Sequence, residues 1–303
     1  MIPVFPNFKK VEFSDREKVE SFTHNIQPYS DFNFISLWAW DVDNQRMIST
    51  LNDNLVVLFT DYITNKPFLS FLGNKKPTRT AIELLEYSNT NSISPILQLV
   101  GEESVRNISN KNLIVTPTRK DYDYIFSTTD LISMVGSKFG SKRNQLNKFR
   151  SRYPKAFLKS EILGTSISKK HIFSILEKWS IQKRAEKKDD SIQEKKAIEK
   201  ILENKNNSRL VLSYLKIENE FIGFSIDEIL PDNYAMSHFL KADYTFKGVY
   251  DYMNNEIAKQ LYSLGVKYWN WEQDLDIEGL KVSKQGYNPI KYLKKYSISY
   301  KQQ

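Results

Sequence analysis

The three runs SRLVLSYLKI, EFIGFSIDEIL and NYAMSHFLKA, residues 208–217, 220–230 and 233–242, constrain this chain more than any other feature. Each is rich in β-branched and aromatic residues. Only short polar turns, Glu218–Asn219–Glu220 and Pro231–Asp232–Asn233, separate them, so they read as an antiparallel meander. The segment DYTFKG leads on into a helix from Val249 to about Leu264, Gly265 stops that helix, and VKYWNWE is a further strand. A helix crossing between neighbouring strands after a meander defines an α+β chain.

At 303 residues the chain exceeds the usual size of one domain, and two are expected, 1–130 and 131–303. The first half reads as a capped helix (SDREKVESFTHNIQ), strands NLVVLFTDY and KPFLSFLG, a helix TRTAIELLEYSN, and strands SPILQLVG and DYDYIFST. The second opens with SKRNQLNKFRSRYP, a helix that Ser141 can cap and Pro154 ends. An amphipathic helix with Ile172, Ile175, Leu176 and Trp179 inward comes next. The helix carrying Glu194, with Ile198, Ile201 and Leu202, presents mixed charges that read as an exposed face.

Several function classes drop out. The chain has no cysteine, which removes disulfides, thiolate metal sites and a cysteine nucleophile. No metal-binding, P-loop or nucleophile-elbow signature is present. The start, MIPVFPNFKK, carries no apolar signal core, and no apolar run nears the roughly 20 residues of a membrane span. A soluble, cytoplasmic protein is expected, with contact to a membrane surface left open.

The charge is concentrated. Between Leu131 and Ser160 lie eight basic residues, Lys138, Lys142, Arg143, Lys148, Arg150, Arg152, Lys155 and Lys159, and no acidic one. Outside that block the basic and acidic residues balance. Like charges so close together cost stability unless a partner neutralises them. Arg143, Asn147 and Arg150 recur at i, i+4 and i+7, and with Lys138, Lys142 and Lys148 they form a candidate phosphate-binding stripe. A solvated helix face is the plainer reading of the same residues.

The segment YWNWEQDLDIEGLKVSKQGYNP, residues 268–289, runs from alternating aromatics straight into Glu–Gln–Asp. Strand alternation puts Tyr268, Asn270 and Glu272 on one face and Trp269 and Trp271 on the other. The tryptophans read as core rather than as base-stacking platforms. The polar residues are either pocket groups or a capping and ion-pair network with Lys281 and Lys284; for any single one both readings stand.

These segments, with DYDYIFSTTDLISMVGSKFGSKRNQLNKF and KADYTFKGVYDYMNNEIA, resemble the C-terminal domain of phosphatidylglycerol lysyltransferases and its stand-alone relatives over most of the chain. The pattern departs at Asp276, where the family has glycine. The resemblance implies two tandem GNAT-like domains, with a site where the crossover helix begins and its flanking strands part. It implies transfer of an amino acid from aminoacyl-tRNA to an amine or hydroxyl acceptor, with no cofactor. Glu272 and Asp274 would be catalytic, and Asn270, Gln273, Lys284, Tyr287, His238 and Tyr250 would shape the pocket. His238, mid-strand, is a candidate pocket base, but a satisfied core histidine is the better reading. Two alternatives stand beside this one: acetyl-CoA-dependent N-acetylation, which the crowding of Phe246 and Tyr250 around the lone Gly248 opposes, and a non-catalytic RNA- or protein-binding module. The first half, without a comparable polar cluster, is expected to be a packing partner.

Overall fold

The meander sits at the centre of a seven-stranded sheet in the computed structural model, which describes all residues except 42–44, 62–65, 164–168, 185–190, 205–208 and 302–303. In chain order the first strands are β1 (Lys9–Lys10), β2 (Met47–Leu51), β3 (Asn54–Thr60), β4 (Pro67–Leu72), β5 (Leu97–Gly101) and β6 (Leu113–Pro117). Then come β7 (Asp123–Ser127), β8 (Ala156–Ile162), β9 (Leu210–Ile217), β10 (Glu220–Leu230) and β11 (Tyr234–Ala242). The last three are β12 (Tyr268–Asn270), β13 (Lys291–Leu293) and β14 (Lys295–Tyr300). The helices are α1 (Arg16–Thr23), α2 (Phe34–Ala39), α3 (Pro77–Thr90), α4 (Glu102–Val105) and α5 (Thr128–Ser133). They continue with α6 (Gly140–Arg152), α7 (Lys169–Arg184), α8 (Ser191–Glu203), α9 (Val249–Ser263) and α10 (Glu278–Gln285).

Two compact units result, and they are not contiguous in sequence. One comprises 1–123, 273–276 and 293–303; the other comprises 124–272 and 277–292. In place of one crossing near residue 130, the chain leaves the first unit at 123 and returns to it twice. The first unit holds a sheet ordered β1-β2-β3-β4 and another ordered β5-β14-β6. Val56, Leu69, Phe71, Leu84, Leu85 and Ile298 are buried together in its core. Ile298 lies on β14, so the last strand completes a layer begun about two hundred residues earlier.

The second unit is built on the sheet β13-β7-β12-β11-β10-β9-β8. Every strand pairing recorded in it is antiparallel except β11 with β12, which are parallel and joined by α9. The crossover helix is long because a parallel return needs one. It buries Val249, Met253, Ile257, Ala258 and Leu261 against Trp269, Phe126 and Phe149. The fold is α+β with mixed, mostly antiparallel sheets flanked by helices, as the sequence suggests.

Some local expectations needed correction. β12 ends at Asn270, so strict alternation does not carry through to Glu272. Ser141 does not cap α6: a short 3-10 turn over Ser137–Phe139 precedes the helix and Phe139 holds the cap position without a side-chain bond. Glu194 is not on a free charged face, because Lys241 Nζ bonds it at 2.7 Å and lies 3.7 Å from the centre of the Trp179 ring. The end of the helix sequence after Arg184 lies outside the described residues.

Gly248 opens α9 with φ +87°, and a Cβ there would stand 2.7 Å from the Gln145 carbonyl oxygen of α6. Gly248→Ala is therefore expected to cost at least the roughly 1–2 kcal/mol of a left-handed non-glycine residue, with the backbone clash added. Gly140→Ala, where nothing lies within 4 Å of the added Cβ, serves as the control and is expected to leave thermal denaturation unchanged or slightly improved. Equal melting temperatures for the two variants would contradict the close α6–α9 approach.

Candidate functional site

The parallel pairing of β12 with β11 lasts for Tyr234–Met236 against Tyr268–Asn270 and then stops, while β11 runs on to Ala242. Beyond Met236 the two strands part. Opposite, β10 pairs Asp227 with Ser237 but Ile226 with Phe239. His238 is thus the extra residue of a β-bulge, a device that re-aims a side chain. Its Nδ1 lies 3.5 Å from Oε1 of Glu272, and its Nε2 lies 3.4 Å from Oε2 of Glu228. Arg209 Nη2 stands 3.8 Å from the other Glu228 oxygen. Burial disfavours the imidazolium, but the hydrogen bond with Glu228 and the charges of Glu228 and Glu272 outweigh it, and the His238 pKa is pushed up to about 9.

Glu272 is held by its backbone. It sits at φ +58°, a conformation costing on the order of 1 kcal/mol for a residue of this kind. Its N–H donates to Asn270 Oδ1 at 2.7 Å. Lys284 Nζ donates to the Trp271 carbonyl at 2.6 Å and the Glu272 carbonyl at 3.4 Å. Asn270, fully buried, and Lys284 therefore hold the backbone of this turn. Lys281 does not join them; it pairs with Glu278 at 3.7 Å. The Glu272 side chain stays 24% exposed.

The other motif residues divide. Tyr287 is buried, donating its phenol to Asp251 Oδ1 at 2.6 Å, and burial with the Asp251 charge pushes its pKa well up. Lys142 Nζ approaches Asp251 at 3.7 Å and the Tyr287 ring centre at 4.1 Å. Tyr250 is turned to the Ala242 backbone, its hydroxyl 3.3 Å from that residue's nitrogen, and burial pushes its pKa up to about 12. Trp269 is fully buried, its Nε1 donating to Asp227 at 3.0 Å, and Trp271 packs against Phe126 and Tyr287. The tryptophans are core, as expected.

Gln273 and Asp274 belong to the first unit, and Asp274 is not an exposed pocket carboxylate. It is 2% exposed, pairs with Arg119 at 3.5 Å, and accepts the Asp276 N–H at 2.9 Å. The glycine-like demand at Asp276 is real: its φ is +58°. Aspartate tolerates the left-handed region better than most residues, and the bond to Asp274 helps hold it there. Gln273 takes part in a cluster missed in the sequence. Lys295 Nζ, fully buried, contacts Asp31, bonds Asp123 at 2.7 Å and Ser30 Oγ at 3.1 Å, and reaches Gln273 Oε1 at 3.3 Å. The Gln273 amide nitrogen donates to Asp31 at 3.3 Å. Burial raises the Asp31 pKa to about 6 against the opposing pull of Lys295. So the first unit does have a polar cluster. The available signal was Asp121 and Asp123 alternating into an apolar strand.

The basic helix is largely tied down. Arg143 Nη1 donates to the Met134 and Gly136 carbonyls at 2.5 and 3.1 Å. Arg150 donates to Asn255 and Glu256, each at 2.8 Å, and Lys138 lies 3.9 Å from Asp130. With Lys142 on Asp251, four of the six stripe residues make intramolecular contacts. Asn147 and Lys148 remain on the outer face, lining a shallow depression with Ser151 and Arg152. Among the described residues no helix is long and apolar enough to cross a membrane, and no cluster of potential metal ligands occurs.

A meander joined through a parallel crossover helix to the strand beside it defines the α+β architecture of the second unit. The chain belongs to the family described as phosphatidylglycerol lysyltransferase, C-terminal, whose model matches residues 25–299. A conserved protein of unknown function from Bacteroides thetaiotaomicron VPI-5482 is 25% identical, with a TM-score of 0.81 over 99% of this chain and 100% of that one. L-PGS from Bacillus licheniformis shares the fold at 14% identity, TM-score 0.64, over 97% of this chain and 94% of that one. FemX shares it at 8% identity, TM-score 0.60, over 96% of each chain. No match was found among curated proteins.

Proposed function

We propose that this protein transfers an amino acid from aminoacyl-tRNA to an amine or hydroxyl acceptor, with Glu272 as the acid–base group. One observation carries the reading: a partly exposed carboxylate is held in a strained turn, against an imidazolium, where β11 and β12 part. An aminoacyl ester is already activated, so transfer needs alignment of the nucleophile, removal of its proton and return of a proton to the leaving hydroxyl. A single positioned carboxylate can perform both proton steps. The family membership supports the reaction class, and the family's name supports a lipid hydroxyl as one acceptor.

Acetyl-CoA fits less well. A pyrophosphate would need the free N–H groups at the start of α9, and there the Gln145 carbonyl and Phe149 Cβ lie 2.7 and 3.2 Å from where a Gly248 side chain would begin. For tRNA, our candidate contact surface is the outer face of α6, where Asn147, Lys148, Ser151 and Arg152 line a depression. Lys148→Glu with Arg152→Glu is expected to weaken tRNA binding at least tenfold. It should also flatten the salt dependence, by about 0.7–0.9 log units per tenfold salt for each phosphate the face no longer neutralises. Filter binding across a salt series measures both. Unchanged affinity would remove this face from the reading. The function itself is tested by incubating the protein with tRNA charged with labelled amino acids and with phosphatidylglycerol vesicles or small amines. Label in an acceptor product supports it; binding of CoA with acetyl transfer instead would replace it.

A further inference from the structure

We propose that His238 is a positioning residue for Glu272, clamped from behind by Glu228 so that it fixes the carboxylate where the strands part. The inference rests on the reading of Glu272 given above. A histidine that merely satisfies a core needs one donor and one acceptor partner, whereas both nitrogens of this ring face carboxylate oxygens, at 3.4 and 3.5 Å. Only a doubly protonated ring can donate to both. Along the row Arg209, Glu228, His238 and Glu272 the charges alternate and cancel, with Asp227 of β10 as the further charged neighbour.

The two ends of the clamp differ. Glu228 is 1% exposed, lies within a strand and is faced by Arg209; Glu272 is 24% exposed and lies past the end of one. If the ring loses a proton, one nitrogen turns a lone pair toward a carboxylate, and Glu272 is the partner able to move. The bulge is what places the ring there, since β10 pairs with Ser237 and Phe239 on either side of His238.

Because the folded-state pKa is raised, the clamp is complete below the ordinary histidine range near 6.5 and is lost as pH rises through about 9. The chain has three histidines, so imidazole nitrogen NMR, with His238→Gln to assign the signal, reads the ring directly. His238 is expected to stay doubly protonated through about pH 8, and Glu228→Gln or Glu272→Gln should each lower its titration by roughly one pH unit or more. In the aminoacyl-transfer assay the alkaline limb should follow that titration and move down with Glu228→Gln. Titration of wild-type His238 near 6.5, or superposable pH–rate profiles for wild type and Glu228→Gln, would overturn the clamp. Full turnover in Glu272→Gln would instead defeat the catalytic reading, while a lowered His238 titration in that variant would still uphold the contact.

Discussion

Glu272→Gln is expected to lower aminoacyl transfer by about 10²–10⁴-fold, the range for losing a general base, while the protein stays folded. The carboxamide keeps the shape and the backbone bonds to Asn270 and Lys284, which involve the main chain of the turn and not the Glu272 side chain. What the folded state loses is the charge facing His238. With a folded His238 pKa of about 9, that contact stabilises fully below about pH 6.5 and fades through pH 9, so the variant should be destabilised by roughly 1–2 kcal/mol at neutral pH and by little at about pH 9.5. Single-turnover transfer and thermal melts at the two pH values measure both. A large loss of melting temperature with transfer retained in the folded fraction would make Glu272 structural. Asp274→Asn should show that structural pattern, because Asp274 is buried on Arg119 and its turn.

The second large effect lies at Lys295. Lys295→Met removes the cation that Asp31 and Asp123 share in a buried site. Breaking such a site from one side costs about 3–5 kcal/mol because the remaining charges stay buried and uncompensated. For a chain of this size that is on the order of 10 °C in melting temperature. Asp31 is already raised to about 6, and without Lys295 it should rise further. A carboxylate raised in the folded state gains stability as pH falls, so the deficit should be larger at about pH 7.5 than at about pH 5. A melting temperature equal to wild type at the higher pH would show that the cluster is hydrated rather than buried.

The elements themselves were legible wherever a period was strong. The β9–β11 meander, α9 with Gly265 behind it, and the amphipathic face of α7 follow from strand alternation, helical spacing and turn residues, all local properties. The switch from buried aromatics to polar groups along the Asn–Trp–Glu–Gln–Asp segment was legible too, because it is a property of residue order alone. Their division of labour was not. Asn270, Glu272 and Asp274 are similar polar groups in sequence, yet one clamps a backbone N–H, one keeps a partly exposed side chain and one is buried on an arginine. Which does which depends on where β12 stops and on three left-handed residues, Glu272, Leu275 and Asp276, and non-local contacts set both. Arg143 and Arg150 looked like phosphate ligands for the same reason: a helix period states which residues share a face, never whether Met134, Gly136, Asn255 and Glu256 already cover it. Lys295 shows the limit most clearly. Its partners Asp31 and Asp123 are remote in sequence, and only the return of β14 to the first unit turns an ordinary lysine into the centre of a buried charge cluster.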